Sequence, residues 1–165
     1  MLQEVRRRRA LALALAALLA AGTARASMQK VPLEELIRSA QLIVAGKVLD
    51  AQSEFVDGGG QISTLVTVDV FDDLKGKHLG PLTVRVGGGQ VDGVAMSQED
   101  EPSLVVGSTV VLFLEPQDAD FVVTGAFQGN LRLLGDAIYR NGESLGTLDE
   151  LRQSIARVLK TKEKP

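Results

Sequence analysis

Along residues 61–76, QISTLVTVDVFDDLKG, the side chains Ile62, Thr64, Val66, Val68 and Val70 alternate with Leu65, Thr67, Asp69 and Phe71. A period of two rich in β-branched residues predicts a long, half-buried strand that ends at Lys75 and Gly76. Upstream, Leu33, Leu36 and Ile37 form an apolar stripe at i, i+3 and i+4. Pro32 suits the first helical position, and Glu34 and Glu35 suit the positive end of the dipole, so residues 32–40 are predicted as a short helix. Residues 42–51, LIVAGKVLDA, are apolar on both faces at first and are broken by Gly46. A glycine inside such a run marks a bulge or bend. The turn Asp57-Gly58-Gly59-Gly60 then joins this strand to the central one as a long hairpin.

Beyond Gly80 the alternation returns as Leu82, Val84 and Val86 and stops at Gly87-Gly88-Gly89. Residues 90–106 give mixed signals and are read as a long loop with at most a short strand. The unbroken apolar run of residues 108–116, STVVLFLEP, predicts a strand covered on both faces. Residues 121–126 return the chain, residues 129–134 add a sixth strand, and Asn141-Gly142 is a type I′ hairpin signal closing a small ribbon over 137–145. Thr147 with Glu150 three residues on is a capping box. Leu148, Leu151, Ile155, Val158 and Leu159 follow at helical spacing, predicting an amphipathic helix over 147–160. Five or six mostly antiparallel strands, glycine-marked bends and a helix at each end fit a mainly β domain, an OB-like partly closed barrel. The alternative is a β-sandwich. Closure is favoured because it removes exposed edges.

The first residues change the picture of where this domain works. Arg6 to Arg9, an apolar block over 10–21 and the small-x-small triplet Ala24-Arg25-Ala26 follow the order of a secretory signal peptide. The block is shorter than the roughly 20 residues a membrane span requires. Cleavage after Ala26 is expected to leave residues 27–146 as the β-domain and 147–165 as its C-terminal helix and tail, free in the periplasm or medium, with no membrane insertion. Five arginines and one glutamate leave with residues 1–26, so the mature chain is more acidic than the formal net charge of −3 of the whole. Such a balance argues against nucleic acid as a partner. The chain has no cysteine, so apolar packing and sheet hydrogen bonds must hold an exported fold without disulfides. His78 is its only histidine, which argues against the usual zinc sites, and the absence of tryptophan argues against a stacked carbohydrate surface.

Candidate chemistry is sparse. Gly87-Gly88-Gly89-Gln90 suggests a phosphate loop, but Val91-Asp92-Gly93 follows where Lys-Ser/Thr and a helix start are required. The same stretch suits a partner-binding loop whose backbone is open to a neighbour. Gln128 and Gly129 join it as candidate contact residues, with a purely architectural role as the plainer reading. Thr64 is expected to bond across strands through its hydroxyl. His78 lies near Asp72 and Asp73, but no Gly-x-Ser-x-Gly accompanies it, and the two aspartates point to opposite faces of a strand. Acidic groups at Asp57, at Asp118 with Asp120, and at Glu99, Asp100 and Glu101 raise calcium, though none has EF-hand spacing. No catalytic residue, cofactor or metal ligand is therefore assigned.

Read together, AQLIVAGKV (40–48), TLVTVDVFDDLKG (64–76), LTVRVGGG (82–89), VGSTVVLFLEP (106–116) and VTGAFQGNLRLL (123–134) resemble a family of uncharacterised bacterial exported proteins. That pattern is in turn similar to the OB-fold module of netrins and tissue inhibitors of metalloproteinases. The resemblance spans about residues 33–134. It implies an OB-like fold and binding of a secreted protease or another protein. Those inhibitors reach a catalytic zinc through an N-terminal cysteine; here only the amine of a mature Ser27 could take that place. The expectation is a non-enzymatic exported module that engages another secreted or periplasmic protein. A protease inhibitor, a hydrolase using His78 and a passive envelope protein are the alternatives, and the oligomeric state is left open.

Overall fold

The computed structural model describes residues 30–162, apart from Leu79 and Glu99. The signal-peptide region and its cleavage point lie outside the described residues, as do Glu99 of the calcium candidate and residues 163–165. The elements are helix α1 (Leu33–Ser39), strands β1 (Leu42–Val56), β2 (Gln61–Lys75), β3 (Leu82–Gly87), β4 (Gly89–Val91), β5 (Val94–Met96), β6 (Thr109–Gln117), β7 (Asp120–Val123), β8 (Asn130–Leu134), β9 (Ala137–Arg140) and β10 (Glu143–Thr147), and helix α2 (Leu148–Lys162).

Five strands form a ring in the order β1-β2-β3-β7-β6 and back to β1. All its pairs are antiparallel except β3 with β7, which run parallel and share the single ladder pair Val84 and Phe121. This is the OB-like, partly closed barrel, with its seam at β3–β7; ring closure excludes the sandwich. On the edge of β6 opposite β1, where residues 114–117 hold β7, residues 110–112 pair with β8, and the sheet continues outward through β9 and β10. The 137–145 ribbon is thus part of the main sheet.

The barrel curls because its first hairpin is irregular. Register shifts fall between Ile43 and Val44, Ala45 and Gly46, and Val48 and Asp50. These bend β1 so that residues 42–47 pair with β6 on one side and β2 on the other. At Gly46 a Cβ would fall 2.6 Å from Val68 Cγ1 and 2.7 Å from the Asp69 carbonyl oxygen, so only glycine lets the two strands approach this closely.

Because residues 42–46 of β1 and 110–114 of β6 are buried on both faces, these two strands serve two cores. Leu42, Val44, Val48, Val110, Leu112 and Leu114 point into the barrel with Val66, Val68, Leu82, Val84 and Val86 of β2 and β3. Ile43, Ala45, Val111 and Phe113 point the other way, where they meet Leu36 and Ile37 of α1, Leu131, Leu133 and Ile138 of the sheet extension, and Leu151, Ile155 and Val158 of α2. The capping box starts α2 as its sequence requires: the Thr147 amide donates to Glu150 Oε2 (2.8 Å), and the Glu150 amide donates to Thr147 Oγ1 (3.2 Å).

Two local expectations are corrected. Residues 90–106 are not simply a loop, because β4 and β5 pair as a ribbon around Asp92 and Gly93, both with positive φ (49° and 81°). The Asp-Gly pair is a hairpin signal, weak here because only three residues flank it on each side. Pro32 is the N-cap of α1, with ψ of 144°, rather than its first helical residue.

Candidate functional site

The glycine triplet lies where the β1–β2 hairpin, β3 and the β4–β5 ribbon converge. Gly88 donates its amide to the Ile62 carbonyl (2.8 Å), and its own carbonyl accepts from Thr64 Oγ1 (2.7 Å). Thr64 also shares a hydroxyl hydrogen bond with its cross-strand partner Ser53 (2.9 Å), the role its position on β2 implied. A Cβ on Gly89 would lie 2.3 Å from Ser53 Oγ, one on Gly88 2.6 Å from the Met96 carbonyl oxygen, and one on Gly87 2.5 Å from Gln98 Oε1. Gly88 and Gly89 therefore let the ribbon press against the hairpin, while Gly87 leaves room for the side chains of Gln98 and Glu101. Gly88 is buried, Gly87 and Gly89 are partly so, and Gln90 is exposed.

Gln128 and Gly129 stand apart from this loop, in the 3-10 turn Ala126–Gly129 between β7 and β8. Both are buried. Gln128 Oε1 accepts from the Val31 amide (2.8 Å), anchoring the lead into α1, and a Cβ on Gly129 would meet the Thr124 carbonyl oxygen at 2.2 Å. Their geometry is that of the architectural reading.

Next to Gly87, a cleft of about 540 Å³ opens at the end of the barrel. Its walls come from the ends of β1 and β2, from β3, from the β6–β7 turn and from residues 98–102. Arg85 dominates it electrostatically. Its guanidinium donates to Asp120 Oδ2 through Nε (3.2 Å) and a terminal nitrogen (2.7 Å), and reaches Ser63 Oγ (3.3 Å) and Glu54 Oε1 (3.5 Å). The hydrogen bond to Asp120 raises the Arg85 pKa above its ordinary value, against partial desolvation, so the cation is permanent. Its role is mechanical: it clamps β3 to β7 across a seam with one ladder pair. Sequence reading missed it because an arginine at an alternating strand position reads simply as solvated.

Lys75 was also missed. Its ammonium donates to the Ile37 carbonyl (2.6 Å) and to the Ala40 carbonyl, so the end of β2 caps the C-terminus of α1. Gly76 (φ 79°) then turns the chain against Gln41 and Leu42.

His78 sits edge-on to Phe121 (ring centroids 5.6 Å, planes at 87°), with Nε2 3.3 Å from the Pro81 carbonyl oxygen. Its amide donates to Asp73 Oδ2 (3.3 Å), whereas Asp72 pairs with Arg152 of α2. The two aspartates thus serve different neighbours, as alternation along β2 implied. Among the described residues no group of three or more His, Asp or Glu side chains is placed to hold a metal ion. Nor, among them, is any helix long and apolar enough to cross a membrane.

Two further clefts flank residues 101–108. One, of about 570 Å³, is lined by Phe127, Arg132, Leu134 and Tyr139; the other, of about 470 Å³, by Val105, Val106 and Val110. Ser103, Asn130 and Arg132 line both.

No protein-family model matches this chain, and no curated protein sequence matches it either.

Proposed function

We propose that this chain is a non-enzymatic, exported binding module of OB-like fold that engages another secreted or periplasmic protein at the end of its barrel. The observation that carries this reading is the 540 Å³ cleft between the β1–β2 hairpin and the β6–β7 turn, the connections beside which OB barrels bind their ligands. Its one arginine is already satisfied by Asp120 and Glu54. What the cleft offers a partner is hydrogen-bonding and without a free cation: the exposed amides of Gln61, Gln98 and Gln117, the carboxylates of Glu101 and Asp118, and the backbone at Gly87. Such a lining suits a polar protein loop better than a phosphate chain.

The test is cross-linking capture from a periplasmic extract with the mature protein and with a Gln61→Glu, Gln98→Glu double variant. A partner held by the first and lost by the second is the expected result. Equal recovery by both proteins, or no recovery at micromolar concentration, would remove the proposal. The ring of five strands is also the frame that the protease-inhibitor reading requires. Titration of secreted metalloproteases that left their activity intact would dispose of that alternative.

A further inference from the structure

Strand β1 outruns the strand that closes the ring on it. Residues 42–47 lie between β2 and β6. The lane closes one residue further on, where the Val48 amide donates to the Ser108 carbonyl (2.9 Å) and the Gly107 amide donates to the Val48 carbonyl (2.8 Å). At Gly107 (φ 86°) the chain upstream of β6 leaves β1. From residue 49 to Val56, β1 keeps β2 on one side, and among the described residues no strand lies on the other. The pairing with β2 tells which groups this leaves open. The Ile62 carbonyl accepts from the Gly88 amide, so the backbone of Ile62, and by alternation that of Thr64 and Val66, faces β3. Their cross-strand partners Phe55, Ser53 and Ala51 therefore turn their amides and carbonyls away from β2, toward the open edge.

Other edges are shorter or flanked. β10 has five residues with a register shift before Gly146, and β4 and β5 have three each. The side of β2 beyond Val68 is flanked by α2, through Asp72 and Arg152, and by the turn that brings the His78 amide to Asp73. Over β1 the β4–β5 ribbon makes a side-chain contact and not a ladder one, the Gln90 amide donating to Ser53 Oγ (3.4 Å). The open edge has no proline, and Leu49 and Phe55 near its two ends are 48% and 41% exposed. Its charge is of one sign. Between Lys47 and Lys75 the hairpin has no lysine or arginine, while Asp50 and Glu54 share one face of the open stretch with Gln52. Asp50 accepts from the Gln52 side-chain amide (2.8 Å), and exposed Glu54 has Arg85 at 3.5 Å. A second copy of this chain would bring the same carboxylates together on one face, which is unfavourable, whereas a basic strand would be attracted by them.

We propose that the open edge of β1 over residues 49–56 is a second interaction surface, which shares only Val56 with the barrel-end cleft, and that it takes an extended segment of a partner protein as an added strand of the sheet. The segment carries lysine or arginine at alternate positions, on the face of Asp50 and Glu54. Its backbone completes the ladder at Ala51, Ser53 and Phe55 and supplies affinity, while the basic side chains supply the choice of partner. The carboxylates that keep two copies of this edge apart are thus the ones that select the incoming strand.

The experiment is selection of displayed random dodecapeptides on the full chain, followed by amide hydrogen exchange, read by NMR, with a selected peptide in synthetic form. Expected are sequences with a basic residue at every second position. The bound peptide is expected to slow exchange at Ala51, Ser53 and Phe55 about tenfold or more, and to leave Asp50, Gln52 and Glu54, which already face β2, unchanged. Methylating the peptide's backbone amides one at a time is expected to abolish binding at alternate positions alone. Asp50→Lys is expected to weaken binding about fivefold. Ala51→Pro, which removes an outward N–H from the edge, is expected to abolish it. Should Ala51→Pro fail to fold, Asp50→Lys and the methylated peptides still decide. Gln117→Glu, in the barrel-end cleft, is expected to bind the peptides unchanged, so failure of this proposal and failure of the barrel-end reading are told apart. No enrichment, enrichment without alternating basic residues, slowed exchange elsewhere than at those three amides, or undiminished binding by Asp50→Lys or by a folded Ala51→Pro would overturn it. So would loss of binding in Gln117→Glu, or sedimentation showing a dimer that Ala51→Pro dissociates, since the edge would then belong to a second copy of this chain.

Discussion

The two cores of this molecule differ in how they are built. The barrel interior is filled by valine and leucine from strands, with no aromatic ring among its fully buried members, because a narrow closed sheet accepts short, stiff side chains. The layer under the helices takes the one fully buried phenylalanine, Phe113, and the isoleucines Ile37, Ile43, Ile138 and Ile155. There, helices docking on a sheet leave deeper and less regular space. Strands β1 and β6 are the shared wall. A unit with a common wall cannot lose one core and keep the other, whereas two cores joined only by a loop could.

The adjacent residues Leu112 and Phe113 test that wall most severely, since one points into each core. Phe113→Ala is expected to cost about 3–5 kcal/mol and Leu112→Ala about 2–5 kcal/mol. Either is a large share of the 5–15 kcal/mol typical of a whole domain. Hydrogen exchange should show each substitution raising the exchange rate at both Val68 in β2 and Ile155 in α2. Faster exchange confined to the core that was cut would break the picture of a shared wall.

A smaller effect sharpens the same contrast. Lys75 belongs to a barrel strand but caps a helix of the outer layer. Lys75→Met keeps the aliphatic stem and removes the donors, and is expected to cost about 1–2 kcal/mol. The loss should appear first as faster exchange in α1, with β2 and β3 little changed. Uniform acceleration across the barrel would mean that the lysine supports the ring itself.

The smallest effect lies at the rim of the outer layer, where Lys30 and Glu143 pair at 2.7 Å, both exposed. The hydrogen bond from Lys30 holds the Glu143 carboxyl below its ordinary value. A carboxyl whose folded pKa is depressed contributes stability above its unfolded pKa and loses it as pH falls through the folded value. Glu143→Gln should therefore melt slightly below the parent at neutral pH and together with it in acid. Added salt should erase the neutral-pH difference. A difference that persisted in acid would assign the effect to packing.

Much of this architecture was legible in the chain because it is written locally. The alternation over β2 and β3, the two-faced apolar run of β6, the Gly46 interruption, Asn141-Gly142 and the Thr147–Glu150 cap each depend on neighbours a few residues away, and each is found where its pattern implied. The β4–β5 ribbon was not, since three residues on each side of Asp92-Gly93 are too few to display a period. The candidate contact residues were only partly legible. Glycine at 87–89 advertises an open backbone equally well whether the space is kept for a ligand or, as the contacts with Ser53, Thr64 and Met96 show, taken by this chain itself. A glutamine at 128 looks polar and external, yet its amide is needed inside to receive the Val31 N–H.

What the sequence determined on its own was the set of faces: which residues of each strand and helix are apolar, where each element starts and stops, and that no disulfide takes part. What only the tertiary structure decided was which faces meet. The ring closes by joining β1 to β6 and β3 to β7, and Arg85 finds Asp120 35 residues away, as Lys75 finds Ile37 at a distance of 38. The physical reason is that periodicity reports burial, which is a property of one segment, whereas a hydrogen bond or ion pair between distant segments exists only once the whole chain has taken its path.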